Sequence, residues 1–269
     1  MGQAFRLLPD IHDCETKTKE HLSYSRVNRY LMCPEQYRLY YIEGLRPKVP
    51  SANLEFGQAI HRSLAEFFQN GGNMIRTFLE LWEQQRDAKL RYPFRSSWEK
   101  LNECGHKLLA RFLQDELQRL SCIEASEMPF ELAISNLDTP FVGVIDLKAR
   151  VDGVLSVIDF KTSSSAYSDF EVEMSDQLTA YRVAEPQAAQ SVFCVFVKTK
   201  EPRIDWFFSQ RSGNELTAYL TKVALIGRQI SDNVFYKRPG KWCAQCDYLP
   251  LCMGDHKRAE EALVRSSFG

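Results

Sequence analysis

The chain has 269 residues, 34 Lys and Arg against 35 Asp and Glu, a net charge of -1 and 44% hydrophobic residues. That balance excludes a collagen, a disordered tail and a bulk-basic nucleic-acid coat, so an anionic partner must be met by a local patch. At about 150 residues per domain the length allows one or two domains; no linker interrupts it, and we expect one domain over 1–269.

Residues 1–22 are polar and read as an N-terminal arm. Ser25 caps a short predicted helix through Leu31, which Cys33-Pro34 breaks. Pro34 suits the first turn of a second helix, ended by Gly44, and 46–53 reads as a loop. Phe56, Ile60, Leu64, Phe67 and Phe68 make a helical stripe stopped by Gly71-Gly72. A second helix is predicted over 74–89. A third starts at a capping box, Ser96-x-x-Glu99, and carries Leu101, Leu108, Phe112 and Leu120. The period then turns strand-like over 129–135, 139–151, 154–163, 191–199 and 203–210. Helices over 175–184 and 214–231 complete the pattern. The expected regions are a helical segment to 125, a sheet core over 126–236 and a tail over 237–269. The fold class is α/β, mixed α+β, with a central mixed sheet flanked by helices.

The opening residues lack the apolar stretch of an export signal, and Arg6 stands where myristoylation usually wants Ser or Thr. No window holds ~18 uninterrupted apolar residues. We therefore expect a cytoplasmic protein with no membrane partner. Its eight cysteines then point to metal ligation or burial more than to disulfides.

Residues 143–162 are the most informative. Asp152-Gly153 between two β-rich runs is a strong hairpin signal. With those two residues as the loop, Val151 pairs with Val154, and Asp146 falls opposite Asp159. One face then carries Ile145, Leu147, Ala149, Val151, Ile158 and Phe160. The other carries Asp146, Asp159, Lys161, Lys148 and Arg150. Opposed side chains have Cβ atoms about 4.5–5.5 Å apart, and like charges there destabilise a sheet. Two such carboxylates need a shared proton or a cation, and hard oxygen donors suit Mg²⁺ or Mn²⁺. The simpler alternative is a solvated polar face that Lys161 neutralises.

These residues resemble a known pattern. GVID at 143–146 and VIDFKT at 157–162 resemble motifs II and III of the PD-(D/E)XK nuclease superfamily. QLTAY at 177–181, FGQAIH at 56–61 and SYSRVNRYLMCPEQYRLYYIEGL at 23–45 resemble further motifs of its RecB-like branch, in the branch's order. The resemblance implies a restriction-endonuclease-like fold and a metal-dependent DNA exonuclease. His61, Asp146, Asp159 and the Phe160 carbonyl would ligate Mg²⁺ or Mn²⁺. Lys161 would position the attacking water, and Gln177 and Tyr181 would hold the strand or Lys161. DNA is the implied partner, as single strands or ends, in repair, recombination, phage or CRISPR-related processing beside a helicase, recombinase or integration complex. Lys148, Arg150 and Arg182 are candidate phosphate contacts, and the tyrosines and arginines of 24–41 follow the aromatic-plus-basic recipe of single-strand binding. The chain has no phosphate loop of an ATP-driven motor. An adaptor that binds DNA through a nuclease-like fold is the alternative from another class.

Cys243-x2-Cys246-x5-Cys252 brings thiols within reach of one ion, and Cys33 is the candidate fourth ligand. The arrangement resembles the iron–sulfur nucleases of the RecB-like branch, the Cas4, AddB and Dna2 type, and implies a [4Fe–4S] cluster; a structural Zn²⁺ would use the same thiolates. Cys14, Cys104, Cys122 and Cys194 have no partner spacing, and Cys194 in SVFCVFV reads as a buried apolar residue.

Overall fold

The Asp152-Gly153 turn is the hinge of the fold. Asp152 at φ 49° and Gly153 at φ 84° both lie in the left-handed region that a two-residue hairpin loop demands. In the computed structural model, which describes residues 21–266, this turn joins β3 (Phe141–Val151) to β4 (Val154–Ser163). Val151 pairs with Val154 and Leu147 with Ile158, the predicted register.

Five strands form the central sheet in the order β2-β3-β4-β5-β6. β2 is Leu120–Leu132, β5 Gln190–Val197 and β6 Arg203–Ser209. All neighbours run antiparallel except β4 and β5, which are parallel. A parallel pair needs a crossover, and here α6 (Asp169–Glu173) and α7 (Asp176–Ala184) supply it.

Helices cover both faces. α3 (Ala52–Asn70), α4 (Met74–Glu83) and α5 (Trp98–Arg111) bury Phe56, Ile60, Phe78 and Leu108 against Leu147, Ile158, Phe160 and Phe196. On the opposite face Leu178 of α7 packs on Phe193, Val195 and Val197. α1 (Tyr24–Met32) and α8 (Gly213–Ser231) share a cluster with Phe141 and Ala180. Among the described residues, no helix is long and apolar enough to cross a membrane.

α2 (Pro34–Tyr37) runs on as a wider π turn over Arg38–Ile42. A second small sheet pairs β1 (Leu45–Pro47) with β7 (Leu263–Arg265). The tail between α8 and β7 folds as a 3₁₀ turn, Lys241–Gln245, then α9 (Leu249–Cys252) and α10 (His256–Ala262). Tyr248, Ala259 and Leu263 from that tail bury Leu39, and the Tyr248 hydroxyl donates to the Leu45 carbonyl at 2.9 Å.

Several boundaries differ from the sequence reading. Ser23 rather than Ser25 caps α1, accepting from Arg26 N–H at 3.3 Å. The cause is Leu22: it is buried and exchanges backbone bonds of 2.8 Å with Pro140 and Val142, which fixes where the chain enters. Residue 22 is therefore within the fold; 1–20 of the expected arm lie outside the described residues. The expected loop over 46–53 contains the end of β1 and the start of α3. Ser97 rather than Ser96 caps α5. α4 stops at Glu83, short of 89, where Trp82 and Trp98 each donate an indole N–H to the other's carbonyl. Leu120, predicted helical, begins β2, because its backbone pairs with Val151 beside the hairpin turn.

Gly105 on α5 sits against the Phe78 ring of α4. A Cβ there would fall 2.1 Å from Phe78 Cζ. Gly105→Ala improves helix propensity yet overpacks this contact, and it should cost about 1–3 kcal/mol. Chemical denaturation would read this as a lower midpoint at unchanged slope.

Candidate active site

The predicted β3–β4 ladder would have carried on through Asp146/Asp159, Ile145/Phe160 and Val144/Lys161. It stops one pair earlier, at Leu147/Ile158. Beyond that point the strands diverge as a fork. β3 stays paired with β2 as far as Phe141, and β4 stays paired with β5 as far as Ser163. The Asp146 carboxylate enters the gap, and its Oδ2 accepts the Phe160 backbone N–H at 2.8 Å. A side chain thus takes the place of a ladder bond. The predicted faces change with it. Leu147, Ala149 and Val151 face the α3–α5 cluster as expected, while Ile145 packs with Val157, Tyr181 and Ala188.

Asp159 sits on the other arm and is 1% exposed. Its Oδ1 accepts from Gln177 Nε2 at 2.6 Å and lies 2.9 Å from the Tyr181 hydroxyl. Its Oδ2 has no well-aligned hydrogen bond and faces Lys161 Nζ at 2.8 Å as an ion pair. Ser175 caps α7, and the helix presents Gln177 and Tyr181 one turn apart on its buried face. The sequence reading let these two hold the strand or Lys161; the structure has them hold Asp159 instead. Tyr181 also reaches the Val144 carbonyl at 2.9 Å, on the arm of β3 that has left β4. One hydroxyl proton serves Asp159 or Val144 in turn, while the Gln177 amide donates to the tyrosine oxygen at 3.1 Å. Tyr181 therefore spans the fork. His61 approaches from α3, its Nδ1 3.5 Å from Asp146 Oδ2.

The electrostatics follow from burial. Burial first, and the Asp159 charge second, hold the Asp146 carboxyl well above the usual range. Burial works against the Lys161 charge, but Asp159 and Asp146 outweigh it and hold the ammonium above its ordinary value. Three further residues meet this field. Glu127 on β2, at φ 51°, is pushed up to about 7 by burial and then by Asp159. Burial raises the Tyr24 and Tyr167 hydroxyls, and the nearby Lys161 ammonium pulls both back. Sequence spacing gave no signal for Glu127 or Tyr167. Tyr24 appeared there only among the tyrosines of 24–41.

A family model for the PD-(D/E)XK nuclease superfamily matches residues 21–253. The chain belongs to the PD-(D/E)XK nuclease superfamily. No curated protein matches the sequence. A crystal structure of a Eubacterium rectale protein named "Putative exonuclease" is similar at a TM-score of 0.53 and 13% identity, covering 86% of either chain. That likeness is one of fold. A structure named SSO0001 overlaps at a TM-score of 0.38 and 14% identity, over 90% of this chain and 89% of the other.

In this PD-(D/E)XK chain the D-x-K unit is Asp159-Phe160-Lys161 on β4, with Asp146 across the fork. The donors suit a divalent cation in kind: two buried carboxylates offset by a single lysine, one of whose oxygens lacks an aligned hydrogen bond. Among the described residues, no three His, Cys, Asp or Glu side chains close on a common point as a metal cage would.

The outlying candidate cations are otherwise engaged. Lys148 pairs with Glu185 at 2.9 Å and Glu124 at 3.2 Å. Arg182 donates to the carbonyls of Glu185 and Ala188. Both are thus engaged within the protein. Arg150 is exposed but bonds the Gly153 carbonyl at the turn, the far end of the hairpin from the fork. Two of the three arginines of 24–41 stack on tyrosines of the same segment, Arg26 4.4 Å from the Tyr41 ring and Arg29 3.8 Å from that of Tyr40, and Arg38 pairs with Glu35 and Glu43. Tyr30 and Tyr37 are buried, as packing residues.

Cys33 stands in extended backbone between α1 and α2. The Gln36 amide reaches Cys246 Sγ at 3.5 Å, and the Glu35 N–H donates to the Tyr236 carbonyl at 3.0 Å. Burial raises the Cys252 thiol, Lys237 lowers it, and Cys246 and Cys33 raise it again. Cys243 lies in the 3₁₀ turn Lys241–Gln245; all four are free thiols, and among the described residues no three of them close on a common point. Cys194 is fully buried in the core, the apolar role expected of it.

Proposed function

We propose that this chain is a metal-dependent DNA exonuclease that hydrolyses phosphodiester bonds in single strands or at DNA ends. The observation that carries the reading is the fork itself. A sheet gains nothing from two buried acids at the point where its ladder opens, unless they serve a cation or a reacting phosphate. Asp146, Asp159, the Phe160 carbonyl and His61 would hold Mg²⁺ or Mn²⁺. When bound, such an ion polarises the phosphate and sharpens a water for attack. Lys161, held charged by both acids, would orient the water and offset charge that develops on the phosphate. Gln177 and Tyr181 keep Asp159 in place. That a structural neighbour of the same fold carries the name of an exonuclease agrees with this reading.

The test is hydrolysis of end-labelled oligonucleotides by the purified protein. Progressive shortening of single strands with Mn²⁺ or Mg²⁺, absent in chelator, is the expected result. No cleavage with either metal would favour an adaptor role instead.

Cys33, Cys243, Cys246 and Cys252 would hold a [4Fe–4S] cluster, or a structural Zn²⁺ in its place, and so tie the first helices to the tail. Brown protein with visible absorbance and iron by elemental analysis would support the cluster; zinc without colour would assign the alternative, and neither metal would remove both.

A further inference from the structure

A cavity of about 200 Å³ opens beside the fork, with Asp146 and Lys161 in its wall. Its opposite wall is α3, through Leu54, Gln58 and Arg62. Those three stand four residues apart in turn, so they form one stripe along the helix. Leu54 is 57% exposed, and with Val144 it gives apolar surface to a cavity that Glu127, Asp146, Lys161 and Arg62 also line. The stripe therefore offers an apolar surface first, then an amide, then a guanidinium.

That order fits a flat ring with apolar faces and a polar edge, the make-up of a nucleobase. The size sets a limit. A cavity of ~150 Å³ admits one benzene ring, so this one takes a single base and not a base pair. Its position sets the register, because a base seated here has its phosphate at Lys161.

We propose that this cavity receives one unpaired nucleobase adjoining the scissile phosphate, with Leu54 packing on its face and Gln58 and Arg62 meeting its edge. The substrate class is then a single-stranded or frayed polynucleotide, chosen by the need to unpair that base. The inference rests on the nuclease reading of the fork, and the first arm of the test does not depend on cleavage.

A single-stranded oligonucleotide with 2-aminopurine at its terminal position is titrated with the full-length protein in chelator. Fluorescence should rise as the base leaves its stacked neighbours. Leu54→Ala should weaken the response about tenfold in affinity, and Leu54→Trp, which fills the mouth, should abolish it. Leu54 is exposed, so both variants should melt near wild type. No response from wild type, or equal responses from all three proteins, overturns the pocket whether or not DNA is cut. The second arm is cleavage with Mn²⁺. An abasic nucleotide next to the scissile bond should slow wild type about tenfold and Leu54→Ala little. Equal rates on abasic and intact strands overturn the proposal. A clear fluorescence response without any cleavage would sink the nuclease reading and leave the pocket standing.

Discussion

Asp146→Asn should melt several degrees above wild type in chelator and lose DNA cleavage by about a thousandfold or more. The two effects share one cause. Asp146 is buried next to Asp159, and burial and that like charge hold its carboxyl well above the usual range. The amide keeps an oxygen for the Phe160 N–H, which the carboxylate accepts at 2.8 Å, and removes the repulsion. At this chain length each kcal/mol is worth about 2–4 °C. The pH dependence has the same sign. A carboxyl with a raised folded-state pKa stabilises most when protonated, and that contribution is lost as pH rises through the folded value. Glu127 adds the same trend, complete below its ordinary 4.5 and lost through about 7. Wild type in chelator should therefore gain stability on acidification through about pH 7, where Glu127 titrates, and Asp146→Asn should show a smaller total gain between neutral and acid pH. A melting point at or below wild type would refute the account of a fork strained for function.

Lys161→Met should behave in the opposite way. It removes the ammonium 2.8 Å from Asp159 Oδ2 and leaves two buried acids near each other. A wholly buried pair costs about 3–5 kcal/mol when one partner is lost. The Lys161 side chain is 26% exposed, so we expect about 2 kcal/mol here, together with loss of cleavage. The double variant Asp159→Asn, Lys161→Met should recover most of that stability, because the carboxylate that Lys161 contacts is neutralised as well and Asp146 no longer faces a like charge. A non-additive term of about 1–2 kcal/mol in the double-mutant cycle is the expected reading. Simple additivity would mean that Lys161 does not neutralise Asp159.

The hairpin register was legible because Asp-Gly accepts two left-handed residues, and a slip would have moved every apolar side chain to the wrong face. The end of the ladder was not legible. Alternation says where a strand points, and not that an aspartate will replace a backbone acceptor and split a pair of strands. Ile145 changed partners for that reason. Gln177 and Tyr181 were found by their one-turn spacing, but spacing does not say which acid they would grip. Lys148 looked like a phosphate contact because its partners Glu124 and Glu185 are distant in sequence and near only after folding, and Arg182 because a side chain's bond to nearby backbone carbonyls leaves no mark in the sequence. Leu120 lay on the border between a helical stripe and a strand, and its backbone partner Val151 decided it.

The small sheet of β1 and β7 has a consequence for how the chain reaches this state. Leu45 and Tyr248, joined by one hydrogen bond, lie 203 residues apart, and Leu39 completes its packing only with Tyr248, Ala259 and Leu263. A contact of that span repays its ordering entropy late. On the ribosome the first helices emerge long before the tail that buries them, while β3 and β4 can zip from their own turn as soon as both are made. The growing chain should thus hold an assembled sheet and an unclasped N-terminal segment at once. Until the tail arrives, that segment is the region open to chaperones and proteases.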